Sequence, residues 1–195
     1  MNTIDFEQII QYTVGDISIQ MGYFPGSEKV LFIKTGQGGS IYGYENKYLH
    51  LAHTLNEQFG CSVLVSSTTT DIFEAYNKEM QIVSDCFAGK KYDIYYMGVS
   101  KGGLIGCWYG ANNQKLKKIT SINAPLMINF HNKTLPAIKS LSNKLTMVYG
   151  SLDPSYKFVG FTERYTTIKI IEGADHQLRG HTNAFETIAT ELLNG

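Results

Sequence analysis

The stretch that decides the fold runs from Tyr92 to Gly110 and reads YDIYYMGVSKGGLIGCWYG. Its first half is apolar and rich in aromatic residues, which predicts a buried β-strand. Its second half begins with small residues and then becomes apolar, as expected of a helix that packs on a sheet. Between the halves lies Gly98–Gly102, GVSKG, which fits the pattern G-x-S-x-G. The sequence therefore predicts a strand, a sharp turn centred on a serine, and a helix.

The G-x-S-x-G pattern is typical of a nucleophile elbow, a tight strand-to-helix turn from which a serine hydroxyl projects. Such a turn leaves no room for a Cβ atom two residues before or after the serine, and Gly98 and Gly102 have none. The following helix directs backbone N–H groups and the positive end of its dipole toward Ser100. An ordinary glycine-rich turn is the alternative, and the flanking strand and helix favour the elbow.

The composition of this 195-residue chain limits the classes of protein that it can represent. A hydrophobic content of 43% is enough for one sizeable core, so we expect a single domain over residues 1–195. Lys+Arg and Asp+Glu number 17 each, so no net field attracts nucleic acid or an anionic membrane. We expect a small, uncharged substrate, while the oligomeric state stays open.

The cysteines and the N-terminus indicate a cellular compartment. Cys61, Cys86 and Cys107 are odd in number and widely spaced, which argues against a disulfide framework and against a zinc site. The first residues, MNTIDFEQII, are acidic where a secretory signal is basic, and no apolar run has the length of a membrane span. We therefore expect a cytoplasmic protein with reduced thiols.

Outside the central stretch, short apolar strands alternate with amphipathic helices. A hairpin is predicted between Glu7 and Tyr23, and Asp71 with Glu74 forms a capping box before a helix. The other predicted strands are Lys29–Thr35, Cys61–Val65, Lys118–Asn123, Leu145–Tyr149 and Thr166–Ile171. This alternation predicts an α/β protein with a mostly parallel central sheet and helices on both faces.

Polar residues follow several of these strands at the edge where ligands of parallel sheets bind. They are Ser100, the Gly36–Gly38 loop, Asp153 and the pair Asp175-His176. A serine hydroxyl is a weak nucleophile unless a base takes its proton and a carboxylate orients that base. The chain order Ser100, Asp153, His176 supplies both groups, and this order is typical of a Ser-Asp-His triad on such a sheet.

At these residues the sequence resembles the α/β-hydrolase superfamily, over nearly its whole length. The resemblance lies in the opening hairpin with KVLFIKTGQGG, the elbow MGVSKGG, the acid loop YGSLDPS, and the histidine loop IEGADHQL with the last helix. It implies an α/β-hydrolase fold and an oxyanion hole made by the backbone N–H groups of Gln37 and Lys101. Many relatives have histidine where this chain has Thr35, which is a departure in the loop that holds Gln37.

Other residues compete for the same roles. Asp175 adjoins His176, but neighbours on an extended loop point in different directions, which favours Asp153 as the orienting acid. His181, near the start of the last helix, is an alternative base. We expect Lys101 to supply a backbone N–H group and not to act as the base.

Two patterns could indicate a cofactor or a metal. The glycine-rich Gly36–Ser40 segment lacks both the G-K-[ST] ending of a P-loop and the G-x-G-x-x-G spacing. His50 and His53 lie three residues apart on a predicted helix, yet no H-E-x-x-H pattern accompanies them. We expect neither a metal nor an organic cofactor.

The connection from Asn123 to Leu145 is short, at about twenty residues, and it is where many relatives insert a helical lid. It has room for one short helix, so the sequence predicts an open, shallow site. The predicted walls are apolar and aromatic: Tyr42, Met127 and Phe130, with Tyr44, Ile128 and Tyr156 beside them. Such walls suit an uncharged acyl group or a short ester.

The predicted activity is cleavage of carboxylic esters or related acyl compounds through an acyl-Ser100 intermediate, with His176 as general base and Asp153 as orienting acid. A thioesterase or an acyltransferase with the same triad is one alternative. A non-catalytic binding module is another, because a fold does not by itself imply an activity.

Overall fold

The computed structural model describes residues 4–69 and 73–195, so the predicted cap Asp71 lies outside the described residues. The strands of the described part are β1 (Gln8–Val14), β2 (Ile17–Phe24), β3 (Ser27–Gln37), β4 (Cys61–Thr68), β5 (Asp93–Val99), β6 (Leu116–Ile122), β7 (Leu145–Gly150) and β8 (Thr167–Ile171). The α-helices are α1 (Lys47–Phe59), α2 (Phe73–Cys86), α3 (Lys101–Gly110), α4 (Leu135–Ser140) and α5 (Thr182–Asn194).

These strands join into one sheet in the order β1-β2-β4-β3-β5-β6-β7-β8. β1 and β2 form the predicted antiparallel hairpin, and its turn includes Gly15, whose φ of 58° suits glycine. β2 also pairs with β4 in antiparallel fashion, while the pairs from β4 to β8 are parallel. The structure thus confirms a mostly parallel α/β sheet.

Helices cover both faces of the sheet. On one face α1 and α5 bury apolar side chains such as Leu55 against strand residues such as Ile33. On the other face α2, α3 and α4 bury side chains such as Ile105 against residues such as Phe32. Phe32 and Ile33 are neighbours in β3, and successive strand residues point to opposite faces. Both cores are therefore formed by alternate residues of the same strands.

The sheet order creates a crevice at the carboxyl ends of β3 and β5, which are neighbours. After β3 the chain enters α1 on one face, whereas after β5 it enters α3 on the other face. Connections that leave in opposite directions open a crevice between them, and ligands of α/β proteins bind there. Ser100 follows β5 directly and lies at this position.

The connection between β6 and β7 forms a π-helical turn, Phe130–Thr134, and the six-residue helix α4. Trp108 of α3 donates from Nε1 to Thr134 Oγ1 at 3.0 Å. The connection thereby packs against α3, and it contains the one short helix that its length predicts. No lid domain is present in the part of the chain that the structure describes.

A buried ion pair crosses the core between β3 and α2. Lys34 and Glu79 are 1% and 0% exposed, and Lys34 Nζ bonds to Glu79 Oε1. Lys34 Nζ also donates to Ser66 Oγ at 3.0 Å and to the Ser67 carbonyl oxygen at 2.5 Å. The Tyr12 hydroxyl donates to Glu79 Oε1 at 2.7 Å. The sequence predicts a short apolar strand here, and the charge network becomes visible only when α2 packs over β3.

Replacing Lys34 by methionine is expected to lower the free energy of unfolding by about 3–5 kcal/mol, because it leaves the Glu79 carboxylate buried without its cation. The double change Lys34→Met with Glu79→Leu is expected to recover most of that loss. Urea unfolding of each variant measures both effects. Lys169→Met is the control, since Lys169 and Glu191 pair at 2.6 Å on the surface and such pairs contribute about 1 kcal/mol or less. Equal losses in the single and double core variants contradict the prediction.

Candidate active site

The turn around Ser100 has the backbone conformation of a strained elbow. Ser100 has φ 51° and ψ −120°, and its N–H donates to the Ile122 carbonyl oxygen at 2.7 Å. A Cβ atom added to Gly98 would lie 2.5 Å from the backbone of Gly102, and one added to Gly102 would lie 2.4 Å from the Lys34 carbonyl oxygen. No larger residue fits at either position, so both glycines are needed for the serine to hold this strained conformation.

The structure brings Ser100, Asp153 and His176 together from the loops that follow β5, β7 and β8. His176 Nε2 lies 3.0 Å from Ser100 Oγ, and His176 Nδ1 is hydrogen-bonded to Asp153 Oδ2. The other oxygen, Asp153 Oδ1, accepts the N–H of Ser155 at 2.6 Å. The Asp153 carboxylate is fully buried, while the His176 ring is 45% exposed. A proton can therefore move from the serine to a solvent-accessible imidazole whose orientation a buried carboxylate fixes.

The electrostatic surroundings favour the protonated form of His176. The hydrogen bond to Asp153 raises the pKa of His176 above its ordinary value, although partial burial acts in the opposite direction. The negative charges of Asp153 and Asp175 also raise it. An imidazole with a raised pKa is a stronger base, and the same interactions stabilise the imidazolium that forms when it takes a proton.

The competing acid and base have other partners. Asp175 accepts the N–H groups of Gln177 and Arg179 at 2.9 and 3.0 Å, and it pairs with Arg179 Nε at 2.6 Å. The hydrogen bonds from Arg179 lower the pKa of Asp175 to about 2. His181 faces two backbone carbonyl oxygens, of Arg179 at 3.0 Å and Glu172 at 3.1 Å. Neither side chain bonds to the ring of His176 or to Ser100.

The carboxyl end of β3 lies against the serine. A Cβ atom added to Gly36 would lie 3.3 Å from Ser100 Cβ, so Gln37 follows at the crevice itself. Thr35 is buried and donates from Oγ1 to the Gly39 carbonyl oxygen at 3.1 Å. That bond joins the end of β3 to the glycine-rich loop that follows it.

The amides of the glycine-rich loop are used within the protein. Gly38 N–H donates to the Thr68 carbonyl oxygen at 2.8 Å, and Gly39 N–H donates to the Gly36 carbonyl oxygen at 2.9 Å. Amides bonded in this way are not directed at a phosphate. Over residues 4–69 and 73–195, no group of three or more His, Cys, Asp or Glu side chains could hold a metal ion.

The three predicted wall residues differ in how much surface they offer. Met127 is 45% exposed, whereas Phe130 is buried with its ring 5.9 Å from that of Phe161. Phe161 is itself 56% exposed, so it presents the apolar surface that Phe130 supports. Tyr42 is partly buried, and its hydroxyl donates to Asp5 Oδ1 at 3.2 Å.

One polar residue at the site was missed by the sequence reading. Asn123 is fully buried and has φ 48°, and its side chain bonds to backbone groups of Gly150, Asp175 and His176. The signal in the sequence was an asparagine directly after an apolar strand, at the edge where ligands bind. By itself that signal predicts the end of a strand and not a bridge to other loops.

Solved structures with a similar fold cover nearly all of the chain. Est1E from Butyrivibrio proteoclasticus has a TM-score of 0.72 at 18% identity, over 96% of this chain and 99% of that one. An alpha-beta serine hydrolase homologue from Coxiella burnetii has a TM-score of 0.71 at 14% identity, over 99% of both chains. A lidless α/β serine hydrolase from Xanthomonas campestris has a TM-score of 0.67 at 12% identity, over 99% of this chain and 97% of that one.

The chain has the α/β-hydrolase fold. No protein-family model and no curated protein matches the sequence. Because α/β-hydrolase folds host many activities, the likeness defines the architecture and the side chains at the crevice must decide the chemistry. In this α/β-hydrolase fold those side chains are Ser100, His176 and Asp153, in contact and in the chain order Ser, Asp, His.

Proposed function

We propose that this chain is a serine hydrolase that cleaves carboxylic esters through an acyl intermediate on Ser100. The observation that supports this most strongly is the continuous set of contacts from Ser100 Oγ through both nitrogens of His176 to buried Asp153. A module that only binds a ligand has no need of a nucleophile, a base and an orienting acid in this arrangement.

In the first half of the proposed reaction, His176 Nε2 takes the hydroxyl proton as Ser100 Oγ forms a bond to the ester carbonyl carbon. The carbonyl π electrons move to the oxygen, and the N–H groups of Gln37 and Lys101 donate to the resulting oxyanion. Asp153 stabilises the imidazolium. The imidazolium then protonates the alcohol oxygen as the carbon–oxygen bond breaks, which leaves an acyl-serine.

In the second half, His176 removes a proton from water, whose oxygen attacks the acyl carbon. The second tetrahedral oxyanion occupies the same site, and its collapse returns the proton from His176 to Ser100 Oγ and releases a carboxylic acid. Each residue therefore regains its starting protonation state in one turnover. Acyl-thiol substrates and acceptor alcohols, supplied in parallel assays, distinguish a thioesterase or an acyltransferase from an esterase.

The surface around the site supports an uncharged acyl substrate. Large apolar side chains are exposed in the connections that follow β6 and β7, at the same edge of the sheet as Ser100: Met127, Ile128, Leu152, Tyr156 and Phe161. Leu152 directly precedes Asp153. Exposed apolar side chains beside a crevice suit an apolar ligand, and an open surface buries only part of one.

The rate of hydrolysis is expected to rise with acyl chain length only over short chains. Each methylene that the site buries contributes about 0.8 kcal/mol, so kcat/KM rises about fourfold for each one and then levels off. Measuring kcat/KM for p-nitrophenyl esters from acetate to palmitate tests this. Methyl ferulate is assayed separately as an aromatic ester, because ferulic acid is bound to Est1E in a structure with a similar fold.

Two variants show whether the apolar surface is responsible. Met127→Ala is expected to reduce the gain per methylene, whereas Ile9→Ala is expected to leave it unchanged. Ile9 is exposed to a similar degree, 44% against 45%, but lies on β1 at the far edge of the sheet. A value of kcat/KM that still climbs at dodecanoate, or a jump in rate above substrate solubility, contradicts the open, lidless site.

We also propose a cytoplasmic location. The three cysteines are all free thiols, two of them buried, as suits a reducing compartment. Burial raises the pKa of the Cys107 thiol to about 12, which keeps it protonated and unreactive. Among the described helices, none has both the length and the apolar character that crossing a membrane requires.

A further inference from the structure

The end of β6 lies at the centre of the site and contacts the elbow, the end of β7 and the histidine loop. The carbonyl oxygen of Ile122 accepts the N–H of Ser100 at 2.7 Å. The N–H of Asn123 donates to the Val148 carbonyl oxygen of β7 at 2.8 Å. The backbone of β6 thus fixes the elbow on one side and the strand before the acid loop on the other.

The side chain of Asn123 extends this contact to the histidine loop. Its Oδ1 accepts the N–H of Gly150, at the end of β7, at 2.8 Å. Its Nδ2 donates to the carbonyl oxygen of His176 at 2.9 Å and to that of Asp175 at 3.2 Å. One amide group therefore joins the acid strand to the backbone of the histidine that faces Ser100.

Only asparagine meets all the requirements of this position. The backbone has φ 48°, a conformation that asparagine and glycine tolerate better than other residues. The three backbone partners need one acceptor and two donors, which a carboxamide supplies together and a carboxylate does not. Asn123 is fully buried, so water cannot replace a lost bond without a rearrangement of the loops.

We propose that Asn123 is a positioning residue, whose side-chain amide holds the backbone of His176 in register with Ser100 and with the acid strand. It does not touch the reacting atoms, and it acts through His176. Its effect on turnover rests on the proposed esterase function, whereas its effect on the geometry of His176 does not. Loss of the amide frees the histidine loop, so the imidazole leaves the position in which it meets both Ser100 and Asp153.

The test compares Asn123→Gly with two controls that separate positioning from stability. Glycine tolerates the backbone conformation of Asn123, so this variant removes the amide without adding strain. Asn56→Ala removes a similar bridge far from the site, where Nδ2 donates to the carbonyl oxygens of Pro25 and Cys61 at 2.9 and 2.8 Å. Asn46→Gly makes the same backbone change at another positive φ, 56°, before α1.

Two readouts decide the outcome. In ester hydrolysis, Asn123→Gly is expected to lower kcat about 100-fold with little change in KM, because a displacement of about 1 Å at a reacting group costs that much. In NMR titration of the His176 ring, the same variant is expected to lower the pKa of His176, because the ring loses its hydrogen bond to Asp153. The negative charges of Asp153 and Asp175 stay nearby, so the pKa moves toward that of free histidine without reaching it. Both controls are expected to leave kcat and this titration unchanged.

A folded Asn123→Gly protein with the kcat of the unaltered chain and an unshifted His176 titration overturns the proposal. If that variant does not fold, Asn123→Asp replaces it. Aspartate has the same size and keeps the bond from Gly150, but it lacks the Nδ2 donors, and retained kcat in that variant overturns the proposal as well. If the unaltered protein hydrolyses no ester, the esterase function fails, and the NMR titration still decides whether Asn123 positions His176.

Discussion

Replacing Ser100 by alanine is expected to lower kcat for ester hydrolysis by about 10⁴-fold or more while leaving the fold intact. The hydroxyl removed lies 3.0 Å from His176 Nε2, and in the proposed reaction no other atom forms the bond to the acyl carbon. Steady-state kinetics on p-nitrophenyl acetate measures the loss, and circular dichroism checks the fold. Ser140→Ala is the control, since Ser140 is an exposed residue at the end of α4.

The same position separates catalysis from stability. At φ 51° and ψ −120° a residue with a side chain is strained by about 1–3 kcal/mol, and glycine is not. Ser100→Gly is therefore expected to be as inactive as Ser100→Ala. Its free energy of unfolding is expected to be higher than that of Ser100→Ala. Undiminished turnover in a well-folded Ser100→Ala protein removes Ser100 as the nucleophile.

Replacing His176 by alanine is expected to lower kcat about as much as replacing Ser100, and the double variant is expected to lose no more than either single one. Residues that act as one unit are not additive, because removal of one disables the other. Asp153→Asn is also expected to cost about 10⁴-fold, since the amide leaves the imidazole in the wrong tautomer. His181→Ala is the matched control. If His181→Ala is the damaging change and His176→Ala is benign, the base has been assigned wrongly.

The pH dependence of kcat/KM tests the assignment of His176 as the base. Only neutral imidazole accepts the serine proton. We therefore expect kcat/KM to have its maximum value at high pH and to fall as the pH drops through the pKa of His176. The bond to Asp153 raises that pKa, which places the midpoint above the ordinary value of 6.5. Removing the carboxylate in Asp153→Asn is expected to move the residual midpoint down, and an upward movement contradicts the role of Asp153.

The central turn could be predicted because its requirements are local. A strand, a tight turn and a helix follow one another within Tyr92–Gly110, and the steric need for Gly98 and Gly102 is visible in their spacing from Ser100. The alternation of strands and helices in turn predicted a parallel sheet. In such a sheet residues after different strands meet at one edge, which is why the sequence predicts that Asp153 and His176 lie at the same edge as Ser100.

Other features depend on contacts between distant segments and could not be predicted. Lys34 directly follows the apolar run Val30–Ile33 of β3, and only the packing of α2 over β3 brings Glu79 to it. Asn123 closes a polar bridge whose partners lie 27 to 53 residues away along the chain. Phe130 is buried with its ring 5.9 Å from that of Phe161, a contact between two connections that no local pattern encodes. Such pairings require the three-dimensional arrangement of the sheet.

Covalent labelling tests whether the hydroxyl of Ser100 is activated for attack on an acyl group, and it requires no knowledge of the natural substrate. The protein is treated with a fluorophosphonate probe, digested, and analysed by mass spectrometry to locate the modified residue. We expect one label per chain, on Ser100, and none in the Ser100→Ala or His176→Ala proteins. An unlabelled native protein, or a label on another residue that persists in Ser100→Ala, contradicts the assignment of Ser100 as an activated nucleophile.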